Sequence, residues 1–381
     1  MYPTISHLIY DLLGINIPLP IQTFGFFVAL AFVIGSYFIS QEFKRKEKEG
    51  LLSIIKKKVK IGEGITTYEI LSAVIGGFFI GFKLVEAIFN YDDLVQNPQE
   101  FILSARGSVM GGIIVAAISV YTKYKEKEKT KLREPKWVEQ DIHPHQLVGN
   151  MIMIAAISGI IGAKIFASLE NWDAFLLDPW GQLFSFSGLT FYGGLIFGAI
   201  SVSYYAQKNG IKIVHLIDVF APSLILSYGI GRIGCHLSGD GDWGIVNTAA
   251  KPEWMSFIPD WIWSYNYPNN VINQGERIPD CVGNFCHQLA ENVYPTPFYE
   301  IIMAGLIFVF LWNIRKRINI AGILFFVYLT LNGIERFFIE KIRVNTEYNI
   351  LGGITQAEII SFCLIFIGVF GTFILYRKSK K

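Results

Sequence analysis

The stretch GIGRIGCHLSGDGDWG, residues 229–244, sets Arg232, Cys235, His236, Asp240 and Asp242 among six glycines within sixteen positions. These side chains can hold an anion and move a proton. An arginine donates paired, charge-assisted hydrogen bonds to a phosphate or carboxylate, and glycines let backbone N–H groups approach the same anion closely. A second arginine, Arg336, lies in NGIERFFIEKIRVN with Glu335 and Glu340, YPTPFYE carries Tyr299 and Glu300, and LTFYGGLIFGA carries Tyr192 and Gly193. Two arginines converging on one place would clamp a phosphate. Taken singly, each could snorkel or simply pair with Asp240, Asp242, Glu300 or Glu340.

The elements that carry these residues follow from composition. Of 381 residues, 52% are hydrophobic and 15% aromatic, and the mean hydropathy is +0.41, well above a soluble globular chain. Apolar runs able to cross about 30 Å of hydrocarbon occur near 21–40, 68–90, 107–122, 147–168, 185–206, 215–235, 297–314, 319–339 and 352–376. The expectation is an all-α polytopic transmembrane bundle of about nine spans, forming a single integral membrane domain over 1–381. The third and seventh runs are short.

Basic residues test that map independently, because cytoplasmic loops are enriched in Lys and Arg. Alternate loops hold 24 of the 33 Lys and Arg and the other set holds five, Arg343 among them. This asymmetry predicts an outer N-terminus and an inner C-terminus. The opening MYPTISHLIYDLLGINIPLP has no basic n-region and no small-residue cleavage site, so it reads as mature protein at the outer face. A net charge of +2 spread over orienting loops gives no sign of a nucleic-acid partner.

On this topology the intramembrane polar residues agree in depth. Arg232 ends one outward-running span, Glu335, Arg336 and Glu340 end another, and Lys164 ends a third, while Tyr299 and Glu300 begin an inward run and Tyr192 and Gln22 enter from outside. A charge in hydrocarbon costs roughly 2.5–3.5 kcal/mol even on the lenient scale, so such a gathering in the outer third, at the depth of phospholipid head groups, points to a site. A transporter would carry its charges near the midplane, and a scaffold would not need opposing arginines. A transporter or a lipid-binding protein with an outward-facing anion site is the alternative reading.

Segment 68–122 also reads as a copy of 147–206, with a one-residue shift midway: G-x-K recurs, then Asp, Pro, Gln and a closing G-G. Lys83 matches Lys164, but Met110 stands at the place of Tyr192, so the pair is expected to be inserted and to do no chemistry. Small-residue helix packing could also make unrelated spans look alike. Residues 236–296 form a long outer loop. Its CVGNFC carries Cys281 and Cys286, which could pair outside the cytoplasm; no metal site is expected, for want of further ligands there. Cys235 and Cys363 read as small apolar packers. The aromatic DWIWSYNYP suits an interfacial rest or a lid.

Four motifs, in order, resemble those of the prolipoprotein diacylglyceryl transferases. GIGRIGCHLSGDGDWG is similar to G-R-x-G-N-F-x-N-x-E-x-x-G, LTFYGGLIFGA to [SF]-H-G-G-L, YPTPFYE to H-P-x-x-x-Y-E, and NGIERFFIEKIRVN to F-R-x-x-x-E-x-x-R. The resemblance covers nearly the whole chain outside the extra pair, and a seven-span family core plus two inserted spans makes nine. It implies a cofactor-free transferase of the bacterial cytoplasmic (inner) membrane, with its active site on the extracytoplasmic side. The diacylglyceryl group of phosphatidylglycerol would pass to the lipobox cysteine thiol of prolipoproteins, forming a thioether and releasing glycerol phosphate. Arg232 and Arg336 would stabilise the phosphate, Glu300 and Glu340 would orient them, and Lys164, Gly193, Gly234 and Tyr299 would bind substrate. Asp240 or Asp242 would replace the family glutamate, a one-residue insertion leaving the choice open.

The chain departs from the family at four places. Tyr192 stands for the histidine of the second motif, Cys235 and Ser238 for two asparagines, and Tyr294 for the histidine before Pro295. A phenol of pKa about 10 is a poor resting base. Tyr192 therefore reads as a positioner, with two alternatives: His236 takes the proton, or the arginines lower the pKa of the thiol or phenol.

Overall fold

The computed structural model describes residues 1–381 apart from 97, 185–187, 189, 345–346, 349–353 and 381. A short α1 (Ile5–Leu13) precedes α2 (Thr23–Lys48). Two hairpins of like build follow. One is α3 (Thr67–Phe89), α4 (Tyr91–Gln96), α5 (Pro98–Leu103) and α6 (Val109–Thr130); the other is α7 (Val148–Glu170), α8 (Trp172–Leu177), α9 (Pro179–Phe184) and α10 (Phe191–Lys208). α11 (Ile213–Ser238), α12 (Thr296–Ile314), α13 (Ile323–Glu340) and α14 (Gln356–Ser379) complete the bundle.

Among the described residues six of these helices, α2, α3, α7, α11, α12 and α14, are long and apolar enough to cross a membrane. The chain is a helical membrane protein. α6, α10 and α13 fall outside that set although runs near 107–122, 185–206 and 319–339 were expected to span. The reason is polar content within a short length: α6 ends in KYKEKEKT, α10 has 18 residues, and α13 spends three of its 18 on Glu335, Arg336 and Glu340.

Each hairpin closes on glycines. A Cβ at Gly81 would overlap the Gly111 carbonyl and Val115, and one at Gly162 would overlap the Gly193 carbonyl and Phe197. In lipid such close approach, rather than apolar burial, supplies helix association. At the turn of each hairpin a lysine satisfies carbonyls at a helix end or in the turn itself, which have no intrahelical donor. Lys83 Nζ donates to the carbonyls of Phe101 at 2.8 Å, Ser104 at 2.6 Å and Arg106 at 2.7 Å, and Lys164 Nζ donates to Gln182 at 3.0 Å. At the other end of the first hairpin a Thr66–Glu69 capping box starts α3, and Glu69 also pairs with Lys127 of α6 at 2.7 Å.

An all-α expectation misses three short two-stranded sheets among the described residues, of which the longest joins the first hairpin to the rest of the bundle. β1 (Ile55–Ile61) leads from α2 to α3 and β2 (Lys136–Ile142) from α6 to α7, and they pair antiparallel with Lys56 opposite Asp141 and Lys58 opposite Glu139. The lysine-rich run carries a partial alternation, with Ile55, Val59 and Ile61 on one face and Lys56, Lys58 and Lys60 on the other, but four lysines in seven residues mask it as a solvated loop. Its partner lies some eighty residues away, and opposite charges across the pair favour the register.

The rest of the bundle packs in two layers. Phe43, Met151, Ala206 and Val219 centre the contact of α2, α7, α10 and α11, and Ile225, Ala304, Leu311 and Leu324 centre that of α11, α12 and α13. At the end away from Arg232, Asp218 lies 3.3 Å from Lys46 and accepts the backbone N–H groups of Gly322 and Phe325, locking α2 and the start of α13 onto α11. The loop after α11 has its own core of Trp243, Tyr267, Leu289 and Val293. A Cys281–Cys286 disulfide closes one of its turns.

Candidate active site

α11 runs to Ser238, so the N–H groups of the glycine-rich stretch as far as Ser238 belong to the helix, and the loop begins at Gly239, whose φ is +63°. Two of the helical glycines serve packing. A Cβ at Gly229 would sit 3.0 Å from the Ala304 side chain, and one at Gly234 would sit 3.0 Å from Phe27 and 3.1 Å from Phe24. Gly193 likewise lies in the α7–α10 crossing. Gly193 and Gly234, expected to bind substrate, are therefore helix-crossing positions.

What α11 does deliver is Arg232. Its Nε lies 2.8 Å from Glu300 Oε2 of α12, its Nη1 pairs with Asp242, and the Tyr228 ring lies beneath the guanidinium at 5.1 Å. Glu300 is fully buried and gathers two more arginines: its Oε1 lies 3.5 Å from both Arg336 Nη1 and Arg343 Nη1. Arg336 Nη2 lies 3.3 Å from Glu340 Oε2, and Arg343 pairs with Asp242. Three guanidinium groups and three carboxylates thus interlock at one end of the bundle.

Asp242 reaches the cluster because the chain after α11 is stitched down around it. Thr296 Oγ1 donates to the Asp242 carbonyl at 2.8 Å, Gly244 N donates to Tyr294 and Ile245 N to Ile342, both at 2.9 Å. Only glycine fits at 244, where a Cβ would overlap the Ile342 carbonyl. Asp240 lies beside it without pairing with an arginine among the described residues: its Oδ1 accepts the Asp242 N–H at 3.3 Å, and a carboxylate oxygen lies within 4.8 Å of Cys235 Sγ and of the Asp242 carboxylate. Burial, then the charge of Asp242, pushes its carboxyl above the ordinary range.

Arg343 is the residue that sequence reading missed, by counting it as an outer-loop charge. The signal was present in R-x-x-x-E-x-x-R: Arg336 and Glu340 stand at i and i+4 on α13, and Arg343 follows three residues past its end, where the chain bridges to Gly244.

Other expected site residues are placed elsewhere. Tyr192, half-buried at the start of α10, lies within reach of the charges of Arg336, Glu340 and Arg343. His236 is only 7% exposed and enclosed by aromatics. Its ring centre is 5.7 Å from Trp261 and 5.6 Å from Phe298, and its Nδ1 is 3.3 Å from the Tyr267 hydroxyl. Tyr299 donates its hydroxyl to the Ile262 carbonyl at 2.8 Å, pinning the loop rather than lining the arginine cluster. Lys164 donates into the hairpin turn at the Gln182 carbonyl, and Gln22 pairs by backbone with Thr4. Cys235, buried as expected, lies 3.8 Å by Sγ from Arg232 Nη1.

The three arginines and the three acids they pair with match in number, and the acids are unequal. The side chains of Glu300 and Glu340 are 0% and 1% exposed but that of Asp242 is 33%. Among the described residues, neither Glu300 oxygen nor Arg343 Nη1 has an aligned hydrogen bond; these contacts are Coulombic. An incoming anion could therefore take the place of Asp242 and recruit donors already aimed at it, without moving the buried acids. The fold and site define a helical membrane protein with three arginines and three carboxylates interlocked at one end of its bundle.

Comparison with known proteins agrees with this class. The family model described as prolipoprotein diacylglyceryl transferase matches residues 129–374, beginning at the end of α6. The chain belongs to that family. Proteins named phosphatidylglycerol–prolipoprotein diacylglyceryl transferase are similar to it. The one from Oceanobacillus iheyensis is 27% identical over 70% of this chain and 83% of its own. The one from Clostridium botulinum is 30% identical over 61% and 82%, and the one from Staphylococcus aureus is 28% identical over 77% and 92%.

Proposed function

We propose that this chain transfers the diacylglyceryl group of phosphatidylglycerol to the lipobox cysteine thiol of prolipoproteins. The cysteine sulfur attacks the glycerol carbon that bears the phosphate ester. A C–S bond forms, the C–O bond breaks, and glycerol phosphate leaves with the electron pair. The thiol proton passes to the leaving phosphate or to solvent. The observation that carries this reading is the grouping of Arg232, Arg336 and Arg343 around one buried glutamate, Glu300. Charge builds up on the phosphate as the C–O bond breaks, and preorganised guanidinium donors lower that barrier most where water is scarce.

Asp242 serves as the displaceable counterion. It holds Arg232 and Arg343 in place until the lipid phosphate replaces it, while Glu300 and Glu340 keep the three arginines from collapsing or snorkelling. Tyr192 positions the bound phosphate or glycerol from α10.

The nine long helices among the described residues support a nine-span bacterial inner-membrane protein in which α3–α6 is an inserted pair. The basic-residue asymmetry and the common end occupied by Arg232, Glu300 and Arg336 support an extracytoplasmic site, at outer-leaflet head-group depth. The test is direct: purified protein, phosphatidylglycerol vesicles and a lipobox peptide should yield a diacylglyceryl-thioether peptide by mass spectrometry. No product with an active preparation of the Staphylococcus aureus relative run alongside would reject the assignment.

A further inference from the structure

At the opposite end of the bundle a second group of potential ligands comes together where β2 meets α7. Glu47, in the last turn of α2, lies by Oε1 2.5 Å from His143 Nδ1 and by Oε2 3.9 Å from His145 Nδ1. The two imidazoles are 5.5 Å apart by ring centre and tilted by 34°. One ligand atom from each of the three residues lies within 4.8 Å of the others. The His145 Nδ1 is buried and has no hydrogen-bond partner.

We propose that Glu47, His143 and His145 form a binding site for a borderline divalent cation of the zinc class. Two imidazoles and one carboxylate, with a fourth position left for water, suit such an ion and not magnesium or calcium, which take oxygen ligands. Metal–ligand bonds of about 2.0–2.2 Å place tetrahedral ligand atoms roughly 3.3 Å apart. The 2.5 Å contact must open and the 3.9 Å contact must close, each by less than about 1 Å, which side-chain rotation provides.

The backbone around the histidines is already held. Pro144 is buried between them and fixes φ at its position. The His143 N–H donates to Gln146 Oε1 at 2.9 Å, and the chain enters α7 directly. The C-terminal end of α2 adds the negative pole of its helix dipole. Lys44, which faces His145, opposes the cation, whereas Lys46 in the same turn is paired with Asp218, so the ion must be bonded through all three ligands to hold there. Binding would tie α2 to the start of α7, at the point where the β1–β2 connection returns from the first hairpin.

The experiment uses full-length protein without a polyhistidine tag, in detergent and dialysed against chelator, titrated with Zn²⁺ by calorimetry and with Co²⁺ by visible absorption. Wild type should bind one equivalent of Zn²⁺ that excess Mg²⁺ does not displace, and Co²⁺ should give the intense bands of a four-coordinate N/O site. Glu47→Gln and His145→Gln should each weaken binding by at least about tenfold, the loss expected from removing one ligand. Elution as a single peak in size exclusion identifies a folded variant, and either variant alone carries the test. No stoichiometric Zn²⁺ in wild type, or unchanged affinity in a folded variant, would overturn the site. The readout is binding, so it stands apart from transferase activity.

Discussion

Arg232 Nε lies 2.8 Å from Oε2 of Glu300, a carboxylate with no exposure at all, across the contact between α11 and α12. A buried charge of this kind persists only because it is paired; removing one partner of such a pair costs about 3–5 kcal/mol. Glu300 meets three arginines from three places in the chain, so the pair is the fixed point around which the clamp is built.

Arg232→Ala, Arg336→Ala and Arg343→Ala should each lower transfer by about a hundredfold to a thousandfold, the loss seen when one preorganised donor to a developing anion is removed. Lysine at Arg232 or Arg336 should rescue poorly, since a point charge cannot replace the planar fork. Thioether formation by each variant, with accumulation checked by immunoblot, measures this. Near-normal turnover in Arg343→Ala would remove that residue from the clamp.

The two aspartates should separate. Asp242 pairs with Arg232 and Arg343, whereas Asp240 meets the backbone of Asp242. Asp242→Asn should therefore reduce transfer far more than Asp240→Asn in the same vesicle assay. Equal losses would mean that the geometry of the turn, and not the counterion, is what matters.

Tyr192→Phe should lower kcat by about tenfold to a hundredfold, matching the ~1.5–3 kcal/mol of a hydrogen bond to a charged group, and Tyr192→His should be tolerated. His236→Gln should lower the unfolding midpoint and leave the pH profile of transfer unaltered, because its ring is packed among Trp261, Tyr267 and Phe298. A flattened pH profile in the glutamine variant would return proton transfer to His236.

Lys83→Ala should leave turnover intact and lower thermal stability, as three carbonyls at the hairpin turn lose their donor. Steady-state rates beside a thermal melt distinguish this from a lipid-portal role, which would instead raise KM for phosphatidylglycerol.

Stability should depend on pH through Asp240. Its raised carboxyl pKa means that the folded chain keeps a proton where the unfolded chain has lost it. Stability therefore falls as pH rises from the unfolded value, about 3.9, through the higher folded value, and remains lost above it. Asp240→Asn should match wild type below that window and melt at a higher temperature at neutral pH. A midpoint difference that does not change with pH would contradict the assignment.

The membrane class, the repeat of lysine and glycine spacings between residues 68–122 and 147–206, and the gathering of Arg232, Glu300 and Arg336 at one end of the bundle were legible in the chain, because each depends on local periodicity or on hydropathy along one helix. Arg343 was partly legible, through its i+7 place after Arg336. Other features depended on contacts between distant segments. Asp242 rather than Asp240 meets the arginines because Thr296 and Ile342 fasten residues 242–245 from across the fold. Gly193 and Gly234 face neighbouring helices, and His236 is enclosed by a loop that closes over it. The β1–β2 pair joins Lys58 to Glu139, eighty-one residues apart. One-dimensional patterns record which groups are present and how deep they lie. Which of two adjacent carboxylates faces a guanidinium is set by how distant segments pack, and that is a property of the folded chain alone.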